Sequence, residues 1–181
     1  MQKFLLIAVI VLFTACSSFV FGQSYQRKND KNFNKPVKNE IRLNVLTSML
    51  GLLDLNYERF LSDNSGLGIA TNISLENKEL QTIRSMILPY FRVYFGDEFA
   101  TGGFIEANMA VAREYYPEYG MAWNSRLYKY QTTFGLGTAI GYKMVRRNGL
   151  VGELSLGVGR LFGNSYAELY PRLGISIGKR W

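Results

Sequence analysis

The sequence predicts an all-β protein, an eight-stranded antiparallel up-and-down transmembrane β-barrel, on three observations. Apolar residues recur at every second position through eight segments, and no segment after residue 40 carries a helical stripe. The opposite face of those segments is glycine, serine and isolated charges of both signs, where a soluble barrel would present long mixed Lys and Glu to water. Each apolar stretch is close to the ~9–11 residues that cross a bilayer as a tilted strand.

Taken in order, residues 41–49 set Ile41, Leu43 and Val45 against Arg42 and Asn44. Residues 53–61 set Leu53, Leu55 and Tyr57 against Asp54, Asn56 and Glu58, and residues 67–75 set Leu67, Ile69, Thr71, Ile73 and Leu75 against Gly68, Ala70, Asn72 and Ser74. The fourth segment, 86–96, is apolar on both faces except for Arg92, which shares a side with Tyr90 and Tyr94. In the fifth, 103–114, Ile105, Ala107, Met109 and Val111 oppose Glu106, Asn108, Ala110 and Ala112. The sixth, 130–144, opposes Phe134, Leu136, Ile140 and Tyr142 to Gly135, Gly137, Ala139, Gly141 and Lys143. The seventh, 150–160, opposes Leu154, Leu156 and Val158 to Glu153, Ser155, Gly157 and Gly159. The closing segment, PRLGISIGKRW, sets Leu173, Ile175 and Ile177 against Arg172, Gly174, Ser176, Gly178 and Arg180.

Connections alternate in length. SDNSG, GDEFATG and RRNG are compact turns, while ENKELQTIRS, YYPEYGMAWNSRLYK and FGNSYAEL are longer, and only the short link near Gly51 breaks the pattern. Short turns on the periplasmic side and longer loops outside are the habit of transmembrane barrels. A barrel of about eight strands has an interior just wide enough to be filled by side chains. Its small residues make room for an interior charge network of Glu58, Arg92, Glu106, Glu153, Arg172 and Arg180. Tyr57, Phe95, Tyr142 and Trp181 fall toward strand ends, where aromatic girdles sit, and Lys179 near the end can snorkel to the interface.

The N-terminus carries targeting information. Lys3 precedes an unbroken apolar run over residues 4–15, and Val20 and Gly22 suit a cleavage site before Gln23, so residues 1–22 are expected to be a secretory signal peptide. The alternative is lipoprotein processing at Cys16, the only cysteine, because LFTAC loosely resembles a lipobox. The net charge of +7 is concentrated in residues 23–39, a basic, aperiodic stretch expected to be a disordered periplasmic linker. From Glu40 onward fifteen bases meet thirteen acids, so the barrel, expected over 40–181, is nearly balanced and nucleic acid is not an expected partner.

NEIRLNVLTSMLGLLDLNYERFL, PYFRVYFG and the ending PRLGISIGKRW resemble a family of small outer-membrane barrels of Bacteroidota whose function is unknown. The architecture is similar to that of OmpA/OmpX-type barrels. The resemblance implies residence in the outer membrane, with contact to its lipid and lipopolysaccharide, and no assigned activity. Trp181, with Ile177, Ile175 and Leu173 at alternate positions before it, resembles the signal read by the barrel-assembly machinery, from which Lys179 departs.

The chemistry available is narrow. The chain has no histidine, the general base or relay that outer-membrane barrel enzymes generally use. A pair such as Glu106 with Glu153 could act on glycosides only if both were free, and carboxylates facing arginines in a closed interior are expected to form ion pairs instead. No metal-ligand spacing is present and no cofactor is expected. GLGTAIG lies within a strand and lacks the strand–turn–helix context of a nucleotide loop. Tyr115, Tyr116, Tyr119 and Trp123 in the longest connection could contact a sugar, lipopolysaccharide or a protein partner that the sequence does not name, or could belong to the girdle. The expectation is a non-enzymatic barrel with a filled interior and a structural or surface-interaction role. The alternatives are a narrow solute pore and, further off, a histidine-free envelope enzyme.

Overall fold

The computed structural model describes residues 38–75, 83–119, 126–163 and 167–181, with backbone only at 115–119 and 126–129. The expected signal peptide and all but the last two residues of the expected linker lie outside the described residues. Eight strands, β1 (Asn39–Asn44), β2 (Leu52–Ser62), β3 (Ser65–Ser74), β4 (Ile83–Tyr94), β5 (Gly102–Tyr119), β6 (Arg126–Val145), β7 (Leu150–Phe162) and β8 (Leu169–Arg180), pair in chain order, and β1 pairs with β8. Every pairing is antiparallel, so the sheet is a closed up-and-down barrel in which each strand has two neighbours.

The period-two pattern becomes inside and outside. From Asp54 to Phe60 on β2, buried and exposed residues strictly alternate, and the same holds from Met86 to Arg92 on β4 and from Phe104 to Glu114 on β5. The exposed partners are the apolar ones, such as Leu67, Ile140 and Leu156 at 52%, 58% and 60% exposure, whereas Glu58 and Glu106 are at 0%. The greasy face therefore points out and the charged face in.

Prolines sit where the ladder can spare an N–H. The β4–β5 pairing is interrupted between Ile87↔Val111 and Tyr90↔Asn108, beside Pro89. Pro171 lies beyond the last β1–β8 pair, Asn44↔Ser176, so β1 asks nothing of it.

The first and fifth elements depart from expectation. The first strand stops at Asn44 instead of running to Met49, and begins at Asn39, inside the expected linker. Asn44 caps a short helix, α1 (Val45–Met49), accepting from the Thr47 N–H at 3.4 Å, while Ser48 Oγ donates to the Asn44 carbonyl at 2.7 Å. Gly51, at φ 82, then takes the left-handed conformation that releases the chain into β2. Side chain-to-backbone bonding by Asn and Ser outcompeted the weak apolar alternation of 45–49. The link near Gly51 is consequently no short turn; it holds a helix.

After Glu114 the expected long loop is largely ladder, with Tyr115 opposite Tyr130 and Tyr119 opposite Arg126. Aromatic residues favour strands, and Pro117 is tolerated because β4 no longer flanks β5 there.

Candidate functional site

The interior is where chemistry could reside, and it is stratified along the barrel axis. At its centre lies a charge cluster supplied by seven strands, all but β3. Arg92 on β4 donates through Nε to Glu106 at 2.7 Å and through Nη1 to Glu153 at 2.7 Å, and lies 3.5 Å from Glu58. Arg172 on β8 donates through Nε to the other oxygen of Glu106 at 2.6 Å and through Nη2 to Asn56 Oδ1 at 3.2 Å. Arg180 meets none of the carboxylates the sequence singled out. It binds Glu40 at 2.9 Å and the backbone carbonyls of Phe99 and Ala100 at 2.9 and 3.0 Å.

Three members escaped the sequence reading of the network. Arg42 pairs with Glu40, with Glu58 at 2.7 Å and with Glu153 at 3.2 Å, and donates to the Tyr90 hydroxyl at 2.8 Å. Lys143 Nζ reaches Glu40 at 2.8 Å, Glu58 at 3.0 Å and the Tyr94 hydroxyl at 2.5 Å. That hydroxyl in turn donates to Glu58 at 2.5 Å. The signal was available: Arg42 and Lys143 stood on the polar face by parity, and Glu40 lay one residue before the expected first strand.

Isolated ions in such a place would each cost several kcal/mol. Here each carboxylate of the cluster meets at least two donors, and among the described residues the only buried side-chain polar atom without a partner is Arg42 Nε. A carboxylate so engaged has little capacity left for general acid or base work. Among the described residues no cluster is placed to hold a metal ion.

Apolar layers lie on both sides of the charges. Toward the rim where Lys38 and Asn39 meet Trp181, Phe60, Tyr94, Ala100 and Phe104 pack together, and Phe99 meets Phe60 edge-on with ring centroids 5.2 Å apart. Phe99 and Ala100 belong to the β4–β5 turn, which folds across the mouth and is tied down by the Ala100 N–H donating to Asp63 O at 2.7 Å. The charges are stacked on these rings: the Arg92 guanidinium lies 4.3 Å from the Phe104 centroid and that of Arg180 lies 4.8 Å from Phe60.

Toward the other rim, Ala70, Met86, Leu88, Tyr90, Ala110, Ala112, Leu161 and Tyr170 form a second cluster. Tyr170 crosses the interior because Gly137 and Gly159 face it; a Cβ on Gly159 would fall inside the Tyr170 ring. Its hydroxyl donates to Asn108 Oδ1 at 2.7 Å, and Asn108 donates to Glu106 at 3.0 Å, joining this layer to the ionic one.

The remaining candidates lie on the outside. Leu173 and Ile177 are 43% and 56% exposed, Ile175 is half-buried, and the Trp181 ring is 57% exposed. The Trp181 backbone closes the barrel seam, its N–H donating to Asn39 O at 3.0 Å and its oxygen accepting from Lys38 and Asn39 at 3.2 Å. Tyr115, Tyr116 and Tyr119 lie on β5 by backbone; their side chains and all of Trp123 lie outside the described residues.

No protein-family profile and no curated protein matches the chain. Among solved structures, the N-terminal β-barrel domain of Pseudomonas aeruginosa OprF is similar, at 14% identity and a TM-score of 0.48, over 80% of this chain and 97% of that one. The fold assignment rests on this chain's own strand pairings, to which a likeness at that score adds nothing.

Proposed function

We propose that the chain is a small outer-membrane protein whose barrel spans the bilayer with a filled, non-conducting interior, and that its role is structural or one of surface interaction and not enzymatic. The observation that carries this reading is the inversion of polarity: a predominantly apolar exposed wall around a paired ionic core. Water would leave that wall with a large unfavourable hydration term, while a hydrocarbon layer satisfies it, and a closed barrel is one of only two architectures whose backbone tolerates that layer. The expected signal peptide, the resemblance to Bacteroidota barrels and the terminal Leu173–Ile175–Ile177–Trp181 pattern point the same way, toward export, lipid and lipopolysaccharide contact, and handling by the barrel-assembly machinery.

Stacked apolar, ionic and apolar layers disfavour the narrow-pore reading, since an ion would have to part both the paired charges and the aromatic cluster. Purified protein in planar bilayers is expected to give no steady channel current, and the same preparation is expected to migrate as a heat-modifiable band from the outer-membrane fraction. Porin-sized conductance would overturn the filled-interior reading. Recovery in the soluble fraction would overturn the membrane one.

A further inference from the structure

Charge on the strands is sorted by sign. The described strand carboxylates, Glu40, Asp54, Glu58, Glu106, Glu114 and Glu153, are all buried in the interior. The exposed or half-exposed charged side chains on the strands are all basic: Arg59, Arg84, Arg113, Arg160 and Lys179. A wall facing only hydrocarbon and water would exclude both signs alike. One facing phosphodiesters at its margins excludes carboxylates and accepts long basic side chains whose stems lie on apolar surface.

At the rim that carries Lys38 and Trp181, two of these bases, Arg59 and Lys179, gather on one side with Lys38, Arg146 and Arg147. Arg59 on β2 is opposite Asn39, next to Lys38; Lys179 on β8 is opposite Ile41 and also opposite Leu150 on β7. Arg146, in the β6–β7 turn, donates its backbone N–H to Leu150 O, and Arg147 follows it. All five side chains are exposed. The arc from β2 through β1 and β8 to β7 covers three strand spacings, about 15 Å. Of the rim's described acidic side chains, Asp97 and Glu98 lie on the β4–β5 turn, beyond this arc, and Asp63 on the β2–β3 turn at its β2 end. On the arc itself the terminal oxygen of Trp181 accepts the Lys38 and Asn39 amides. Exposed apolar residues flank these bases: Ile41 and Leu150 are the partners of Lys179, Tyr57 is the partner of Ile41, Ile177 lies two residues before Lys179, and the Trp181 ring is exposed two residues after it.

We propose that this arc is a binding site for anionic phospholipid, its basic groups holding the headgroup phosphodiester while the acyl chains lie on Ile41, Leu150 and Ile177. The inference rests on the membrane-spanning reading above. It differs from ordinary lipid contact in predicting selection by headgroup charge at one sector of one rim.

Trp181 reports on that sector. With Trp123→Phe removing the other tryptophan, the protein is reconstituted in vesicles containing brominated phosphatidylglycerol or brominated phosphatidylcholine at equal mole fraction. The anionic lipid is expected to quench Trp181 with about fivefold or greater relative affinity. That preference is expected to fall to near one in the Arg59→Gln, Lys179→Gln, Arg146→Gln, Arg147→Gln variant, and in the unsubstituted arc at high salt. Because these side chains lie outside the packed interior, the variant keeps its ionic core, and the salt arm needs no variant. Equal quenching by the two lipids, or a preference unmoved by both the substitutions and salt, would overturn the proposal. Quenching by neither lipid would overturn the membrane reading and the proposal with it.

Discussion

At the scale of single residues, parity along a strand decides which side chains enter the interior, but it does not choose their partners. Glu58, Arg92, Glu106, Glu153, Arg172 and Arg180 all stand on the inward side, as their alternation with apolar residues predicts. What parity cannot express is that Arg180 turns toward Glu40 and the Phe99 and Ala100 carbonyls, away from the carboxylates that Arg92 and Arg172 hold. Pair choice depends on the stagger between strands far apart in sequence, such as Arg172 and Glu106. Arg92 spans three carboxylates, so its removal leaves Glu106 and Glu153 short of a charge partner. Arg92→Ala is expected to lower the stability of the refolded barrel by about 3–5 kcal/mol, read from urea unfolding in vesicles. A loss below about 1 kcal/mol would mean that water or rearrangement replaces the guanidinium at little cost.

At the scale of elements, the seam between β1 and β8 is held by only five residue pairs. β1 ends at Asn44 while β8 continues from Gly174 back to Leu169 paired with β7 alone, with no strand on its β1 side. The Asn44 side chain substitutes for the missing backbone: Nδ2 donates to Leu173 O at 2.9 Å and to Asp54 at 2.9 Å, and Oδ1 accepts the Ile175 N–H at 3.2 Å. Asn44→Ala is therefore expected to destabilise the barrel by about 1–3 kcal/mol and to speed amide exchange at Ile175 while exchange on β6 and β7 stays as it was. Uniform change across all strands would argue against a local seam. The element that sequence alone misjudged, the run 45–49, failed for the same local reason. Its alternation was weak, and Asn44, Ser48 and Gly51 supply the cap, the back-bond and the exit of a single helical turn. The β5–β6 hairpin erred in the opposite direction, since its Tyr-rich flanks lengthen the ladder where a loop was expected.

At the scale of the whole molecule, closure depends on the two ends of the described chain meeting. Trp181 contributes in two separable ways, a backbone that bonds Lys38 and Asn39 across the seam and a ring exposed at the rim. Trp181→Ala keeps the first and loses the second, whereas deletion loses both. Deletion is expected to reduce the heat-modifiable outer-membrane form several-fold more than the substitution does, with export itself intact in each. Equal effects would assign the contribution to the ring alone.

Much was determined by the sequence by itself. Period-two alternation has only two faces to fill, so the strand count, the direction each side chain faces and the inversion of polarity follow from the order of residues. Only the tertiary structure decided how the interior is layered, because Phe60 on β2 and Phe99 and Phe104 of the β4–β5 hairpin meet only when the β4–β5 turn folds over the mouth. It alone decided that Glu40, Arg42 and Lys143 complete the charge cluster, since their contacts span separations of up to 140 positions in the chain. The gathering of outward bases beside Trp181 is likewise a product of closure. Alternation is a local property of a strand, whereas register and closure are set by how all eight strands share one small interior.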